Sequence, residues 1–218
     1  MLSQYASIIY VLEIIGTIAF ASSGAMVGIR KNMDIFGVMV LGVITAVGGG
    51  CVRDIILGIH PPKMFHNFSY AGAAIVTSCL LFVIVYYNKQ LLQSQFIETY
   101  EKAMNIFDAI GLGIFTIVGI QTAHTVTESS NLSLVIFVGV ITGIGGGVMR
   151  DVMAGSTPFV FVKHVYACAS LIGAILYIRL YERLNPMVAM LISMLTVIGI
   201  RLMAARFRWN LPRVGWHT

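Results

Sequence analysis

A chain of 218 residues that is 58% hydrophobic and only 11% charged, with a mean hydropathy of +0.88, cannot hide its apolar surface in a water-soluble fold, where charged residues run at roughly 25%. The formal net charge of +5 does not point to nucleic acid, because the basic residues stand singly or in pairs at the ends of apolar runs rather than in a patch. One integral membrane domain is expected, with no polar half to suggest a soluble domain beside it.

The opening Met-Leu-Ser-Gln-Tyr lacks a basic n-region and a small-residue cleavage site, so the first apolar run is expected to stay as a helix. A hydrocarbon core of about 30 Å takes roughly 20 apolar residues in helical form. Seven stretches meet that test, at about 5–29, 35–57, 70–87, 104–126, 132–153, 164–180 and 186–204. The first carries Glu13, Ser22, Ser23 and a Gly24-to-Gly28 GxxxG match, read as packing. After Arg30-Lys31-Asn32, the second carries Thr45, Gly48-Gly49-Gly50, Cys51, Arg53 and Asp54. His60-Pro61-Pro62-Lys63 leads to the third, with Cys79. The fourth holds Asp108, Thr116 and Thr122; the fifth holds Thr142, Gly145-Gly146-Gly147, Arg150 and Asp151. The sixth has Cys168, and the last stretch, Arg201 to Arg213 with Trp209 and Trp216, running from the end of the seventh into a tail over 205–218, reads as a basic, aromatic segment suited to anionic headgroups.

Seven spans place the termini on opposite sides. Counting flanking Lys and Arg, Arg30, Lys31, Lys89, Lys102, Lys163, Arg201, Arg206, Arg208 and Arg213 share one side, against Lys63, Arg179 and Arg183 on the other. The positive-inside rule then puts the N-terminus outside and the C-terminus in the cytoplasm.

The dominant pattern is internal. Gly48-Gly49-Gly50-Cys51-Val52-Arg53-Asp54, followed by Gly58 and Pro61, recurs 97 residues later as Gly145-Gly146-Gly147-Val148-Met149-Arg150-Asp151, followed by Gly155 and Pro158. Gly42-Val43-Ile44-Thr45 matches Gly139-Val140-Ile141-Thr142, and a two-residue slip sets Glu13, Gly16 and Gly24 against Asp108, Gly111 and Gly119. The chain is therefore a duplication, with repeat one at about 5–87 and repeat two at about 104–180. Each copy holds three spans, an odd number, so the second enters the membrane from the opposite side. Inverted repeats are a recurring plan for solute-moving proteins, with the site near the midplane where the copies meet.

Each glycine weakens a helix by about 1 kcal/mol relative to alanine, so the second and fifth spans are expected to be broken at Gly-Gly-Gly. Freed carbonyls would be tolerated only beside protein or water and could then coordinate a dehydrating cation. The alternative is that small residues let two helices pack closely. Charges in the membrane need partners, and depth counted along the helices pairs Glu13 with Arg53 and Asp108 with Arg150; the alternative is that each arginine pairs only with its sequence neighbour or reaches the headgroups. Four carboxylates (Glu13, Asp54, Asp108, Asp151) against two arginines leave an excess of two negative charges, favouring a cation. Hydroxyls of Ser22, Ser23, Thr45, Thr116, Thr122 and Thr142 could add oxygen ligands or bond their own helix backbone.

The three cysteines lack CxxC spacing and read as buried small hydrophobes. His60, His66, His124, His164 and His217 show no metal-ligand spacing, and no high-affinity metal site or cofactor is expected. Neither a Gly-Lys-Ser/Thr nor a GxSxG element is present, so nothing argues for an enzyme.

Two GGGxxRD elements, each in the second helix of a three-helix repeat and followed by a lone seventh helix, resemble the trimeric intracellular cation (TRIC) channel family over essentially the whole chain. The short loops and tail look like a prokaryotic member in a bacterial inner membrane. The resemblance implies a homotrimer with a pore in every protomer, conducting potassium and, less selectively, sodium. By motif, Gly48, Gly49, Gly50, Arg53, Asp54, Gly145, Gly146, Gly147, Arg150 and Asp151 become the pore-shaping residues. The different-class alternative is a secondary transporter of a small solute such as an amino acid, since inverted repeats with broken helices are also transporter hardware.

Overall fold

The structure, a computed structural model, describes residues 2–88, 97–127, 131–162 and 165–209. Among these the chain is all helical. Four helices make up the first half: α1 (Leu2–Arg30), α2 (Ile35–Ile56), the single-turn α3 (Lys63–His66) and α4 (Ser69–Tyr87). The second half has the same order, with α5 (Ile97–Val126), α6 (Leu132–Met153), the single-turn α7 (Phe159–Val162) and α8 (Tyr166–Tyr181), and α9 (Pro186–Phe207) follows alone.

Matching local chemistry starts and stops the matching helices. Asp34 caps α2 by accepting from Gly37 N at 2.7 Å, and Asn131, 97 residues on, caps α6 by accepting from Leu134 N at 3.1 Å. Both helices end on a left-handed glycine, Gly58 at φ +70° and Gly155 at φ +61°. There Ile59 N returns to Asp54 O and Ser156 N to Asp151 O, satisfying carbonyls that a helix end leaves open. Asn185 caps α9, with Pro186 at its first turn.

Six helices are long and apolar enough to cross a membrane: α1, α2, α4, α5, α6 and α9. The sixth expected span is α8, apolar but only 16 residues long, about 24 Å at 1.5 Å per residue. The short helices α3 and α7 lie in stretches read from the sequence as connections. Side chains face outward where lipid is expected: Val76, Leu80, Ile84 and Tyr87 on α4, and Leu191, Leu195 and Leu202 on α9, are all exposed.

α1, α2, α5 and α6 form the centre. Phe20 of α1 stacks on Phe115 of α5, ring centroids 5.4 Å apart. Room for the stack comes from Gly111, where an added methyl would collide with the Phe20 ring, and from Gly16, where one would press on Ile114 and the Phe115 ring at 3.0 and 3.1 Å. A larger apolar core joins α5, α6, α8 and α9 through Ile117, Val138, Tyr177 and Met190. The cysteines are half-buried rather than fully buried, with Cys51 Sγ 2.8 Å from Met64 Sδ.

The expected breaks do not occur. α2 and α6 run as continuous helix through Gly48-Gly49-Gly50 and Gly145-Gly146-Gly147. The reason is packing: the two tracts cross each other in backbone contact. A methyl at Gly49 would collide with the Thr142 carbonyl, one at Gly146 with the Thr45 carbonyl, and one at Gly145 would sit 3.1 Å from Gly49 Cα. The propensity lost at three glycines is offset by the contact that only residues without Cβ permit.

Candidate functional site

Two charged clusters flank that crossing, each built from corresponding positions of the two halves. In the first, α2 ends with Arg53 donating from Nε to Asp54 Oδ1 at 2.8 Å. The other Asp54 oxygen, Oδ2, accepts the Lys63 backbone N–H at 2.8 Å, tying the start of α3 to the end of α2. Glu13 of α1 faces the arginine, Oε1 lying 4.0 Å from Arg53 Nη1, and its other oxygen accepts from the Tyr70 hydroxyl at 2.6 Å. Arg53 and Asp54 are buried and Glu13 nearly so. A cavity of about 40 Å³ opens among Glu13, Gly50, Arg53, Asp54, Tyr70 and Phe115, with Lys63 on its rim. That volume holds a water or two.

The second cluster repeats the first with tighter contacts. Arg150 Nε donates to Asp151 Oδ1 at 2.8 Å, and Asp151 Oδ2 accepts the Phe159 backbone N–H at 2.8 Å at the start of α7. Arg150 Nη1 donates to Asp108 Oδ1 and to Ser23 Oγ, both at 2.6 Å. Arg150 and Asp108 are both fully buried. The guanidinium also lies over the Phe159 ring, 5.0 Å from its centroid, a contact that favours a cation.

The sequence expectation of cross-helix pairs holds in both halves, and the alternative of pairing with the sequence neighbour alone does not, because each arginine spans the neighbouring aspartate and the distant carboxylate at once. A guanidinium has five N–H donors in a fixed fork and can serve both. Ser22, Thr45 and Thr142 donate to carbonyls of their own helices, Ile18 O, Leu41 O and Val138 O, while Thr116 shares a 2.7 Å bond with Ser170 of α8. Among the proposed oxygen ligands Ser23 is different: its hydroxyl belongs to Arg150. His164, His217 and the end of the tail, including Arg213 and Trp216, lie outside the described residues.

Three side chains that join these clusters escaped the sequence reading. Tyr70 and Tyr166 stand beside the corresponding carboxylates Glu13 and Asp108, but they are 96 residues apart, one short of the 97-residue offset, so neither alignment of the repeats pairs them. Arg201 of α9 was read as a flanking residue that reports topology. It is buried, its Nη2 lies 3.8 Å from Asp108 Oδ2, and its guanidinium sits 4.5 Å from the centroid of the Tyr166 ring. Its place inside the apolar run of α9 was the available signal. Removing it from the topology count leaves eight basic residues against three, and the predicted orientation is unchanged. The expected excess of two negative charges does not survive. Asp108 and Asp151 are met by Arg150 and Arg201, so the second cluster is formally neutral, and only the first keeps a carboxylate in excess, with Lys63 nearby.

The Glycine transporter family model matches residues 10–86 and 105–182. The UPF0126 inner membrane protein YadS of Escherichia coli is 36% identical over 94% of this chain and 95% of its own. The UPF0126 membrane protein YvgT of Bacillus subtilis is 33% identical over 92% and 94%. Among solved structures, a prokaryotic TRIC channel crystallised in 0.5 M KCl superposes with a TM-score of 0.84 at 33% identity, covering 94% of this chain and all of that one. The TRIC trimeric intracellular cation channel orthologue from Rhodobacter sphaeroides gives 0.81 at 26%, covering 93% and all of that chain.

Proposed function

This chain belongs to the Glycine transporter family, as a prokaryotic member of the wider TRIC channel family, and from that premise we propose that it conducts monovalent cations, potassium and less selectively sodium, through a pathway within each protomer. The observation that carries the proposal is the likeness to solved cation channels over almost the full length, combined with what lies at the centre of the fold. There two buried arginine–carboxylate clusters flank a crossing of glycine-lined helices, in a chain otherwise filled with apolar side chains. Ionisable groups within a membrane span are costly and mark a route for polar solutes.

In this proposal the two repeats are inverted, and the reciprocal contacts support it: Gly49 on Thr142 and Gly146 on Thr45, Gly16 on Phe115 and Gly111 on Phe20. The path runs among α1, α2, α5 and α6, past Glu13, Arg53 and Asp54 at the outer side and Asp108, Arg150 and Asp151 at the inner side. Because the glycine tracts touch, conduction requires α2 and α6 to part. Parting would turn the carbonyls of Thr45 and Thr142, which face the opposite helix, toward a lumen where they can replace water around a cation. The arginines hold the helix ends in register through Asp54 and Asp151, and Ser22, Ser23, Thr45 and Thr142 line the path in its middle. The channel sits in the bacterial inner membrane as a homotrimer surrounded by lipid, N-terminus outside and C-terminus in the cytoplasm. It needs no resident cofactor.

A second reading, transport of a small zwitterion such as an amino acid, is favoured by the family description and by the first cluster, which offers a carboxylate and a guanidinium beside one cavity. Purified protein in a planar bilayer with potassium chloride separates the two. Unitary current steps support the channel; saturable uptake of labelled glycine into proteoliposomes, without steps, would replace it with the carrier.

A further inference from the structure

The helix outside the repeats reaches into only one of the two clusters. Around Asp108, one oxygen is bound by Arg150 at 2.6 Å, and the other faces Arg201 of α9 at 3.8 Å. Around the corresponding Glu13, one oxygen takes the Tyr70 hydroxyl and the other faces Arg53 at 4.0 Å, beside an open cavity. Among the described residues no counterpart of α9 follows the first repeat, and the second cation near Glu13 is Lys63, at the start of α3 and on the open cavity, rather than a buried guanidinium. Arg201 is held in place by the Tyr166 ring and is buried to within 1%, so it is not a headgroup-seeking side chain.

We infer that Arg201 is a tethered cation that fills the cation position of the second cluster and thereby sets the charge selectivity of the pathway. It is a specificity-determining residue supplied by the one helix that was not duplicated. With Arg201 present, the second cluster is formally neutral and Asp108 attracts no mobile ion, whereas Glu13 faces an open cavity whose second cation is the side chain of Lys63. Without Arg201, Asp108 and Asp151 share the one guanidinium of Arg150, and the cluster carries one net negative charge in a low-dielectric setting, where a single charge acts strongly on a passing ion. The inference rests on the proposal that the path carries cations.

The test is the reversal potential of the full-length protein in a planar bilayer under a potassium chloride gradient, for wild type, Arg201→Gln, Arg201→Lys and Asp108→Asn. Arg201→Gln is expected to raise the potassium-to-chloride permeability ratio by about threefold or more, and Asp108→Asn, which leaves the arginine uncompensated, to lower it by a similar factor. Arg201→Lys keeps the charge and should keep the wild-type ratio, although it loses the flat contact with Tyr166. A purely structural role would change yield and melting temperature but not the ratio. If Arg201→Gln does not fold, the direction of the Asp108→Asn shift decides. An unchanged ratio in whichever of these two variants folds, with wild-type currents intact, overturns the inference alone; a wild type without cation current overturns it together with the cation pathway.

Discussion

Arg150 and Arg53 occupy the same position of the two repeats in different surroundings, and the difference sets what their loss should cost. Arg150 touches Asp108, Asp151 and Ser23 with no exposure. Replacing it with glutamine would leave Asp108 facing only Arg201 at 3.8 Å and Asp151 without a cation, and removing one partner of a buried pair typically costs about 3–5 kcal/mol. Arg53 holds Asp54 at 2.8 Å but Glu13 only at 4.0 Å, beside a cavity that can admit water. Arg53→Gln is therefore expected to cost less, about 1–3 kcal/mol. Thermal unfolding of the two variants in detergent checks this, and equal losses would show that the asymmetry has no energetic weight. The cross-helix pairs were legible in the sequence because depth along a helix follows from residue count. Tyr70 and Arg201 were harder to find, since an apolar run does not say which of its polar members turns inward.

At the scale of the element, the glycine tracts separate two physical effects that pull in opposite directions. Alanine in place of glycine inside a continuous helix gains about 1 kcal/mol from backbone entropy. At Gly49 or Gly146 the new methyl would overlap the facing carbonyl of Thr142 or Thr45, and overpacking of that kind costs about 1–3 kcal/mol. Gly49→Ala and Gly146→Ala should therefore lower the melting temperature, whereas Gly199→Ala on α9, where an added methyl meets nothing within 4 Å, should leave it unchanged or raise it. Stabilisation by Gly49→Ala would mean that α2 and α6 do not cross so closely. Propensity alone led to the expectation of broken helices, because it scores each residue against water or isolated helix. The deciding quantity was the distance to another helix, which a propensity does not contain.

For the whole molecule, the orientation rests on eight basic flanking residues against three once Arg201 is counted as buried. It predicts that a reporter fused after Thr218 is accessible only from the cytoplasmic face; labelling of that reporter by an impermeant reagent on intact spheroplasts would reverse it. The duplication, six of the seven expected helical spans and the placement of ionisable groups within them were legible in the sequence alone, because each is a pattern along one dimension: a 97-residue offset, a run of apolar residues, a charge at a countable depth. Only the tertiary structure decided that the glycine tracts press on each other as intact helix, that the two charge clusters differ in tightness, and that α9 brings Arg201 to Asp108. Those outcomes depend on how helices far apart in the chain lie against one another, and that is set by side-chain volume and backbone contact across the interface.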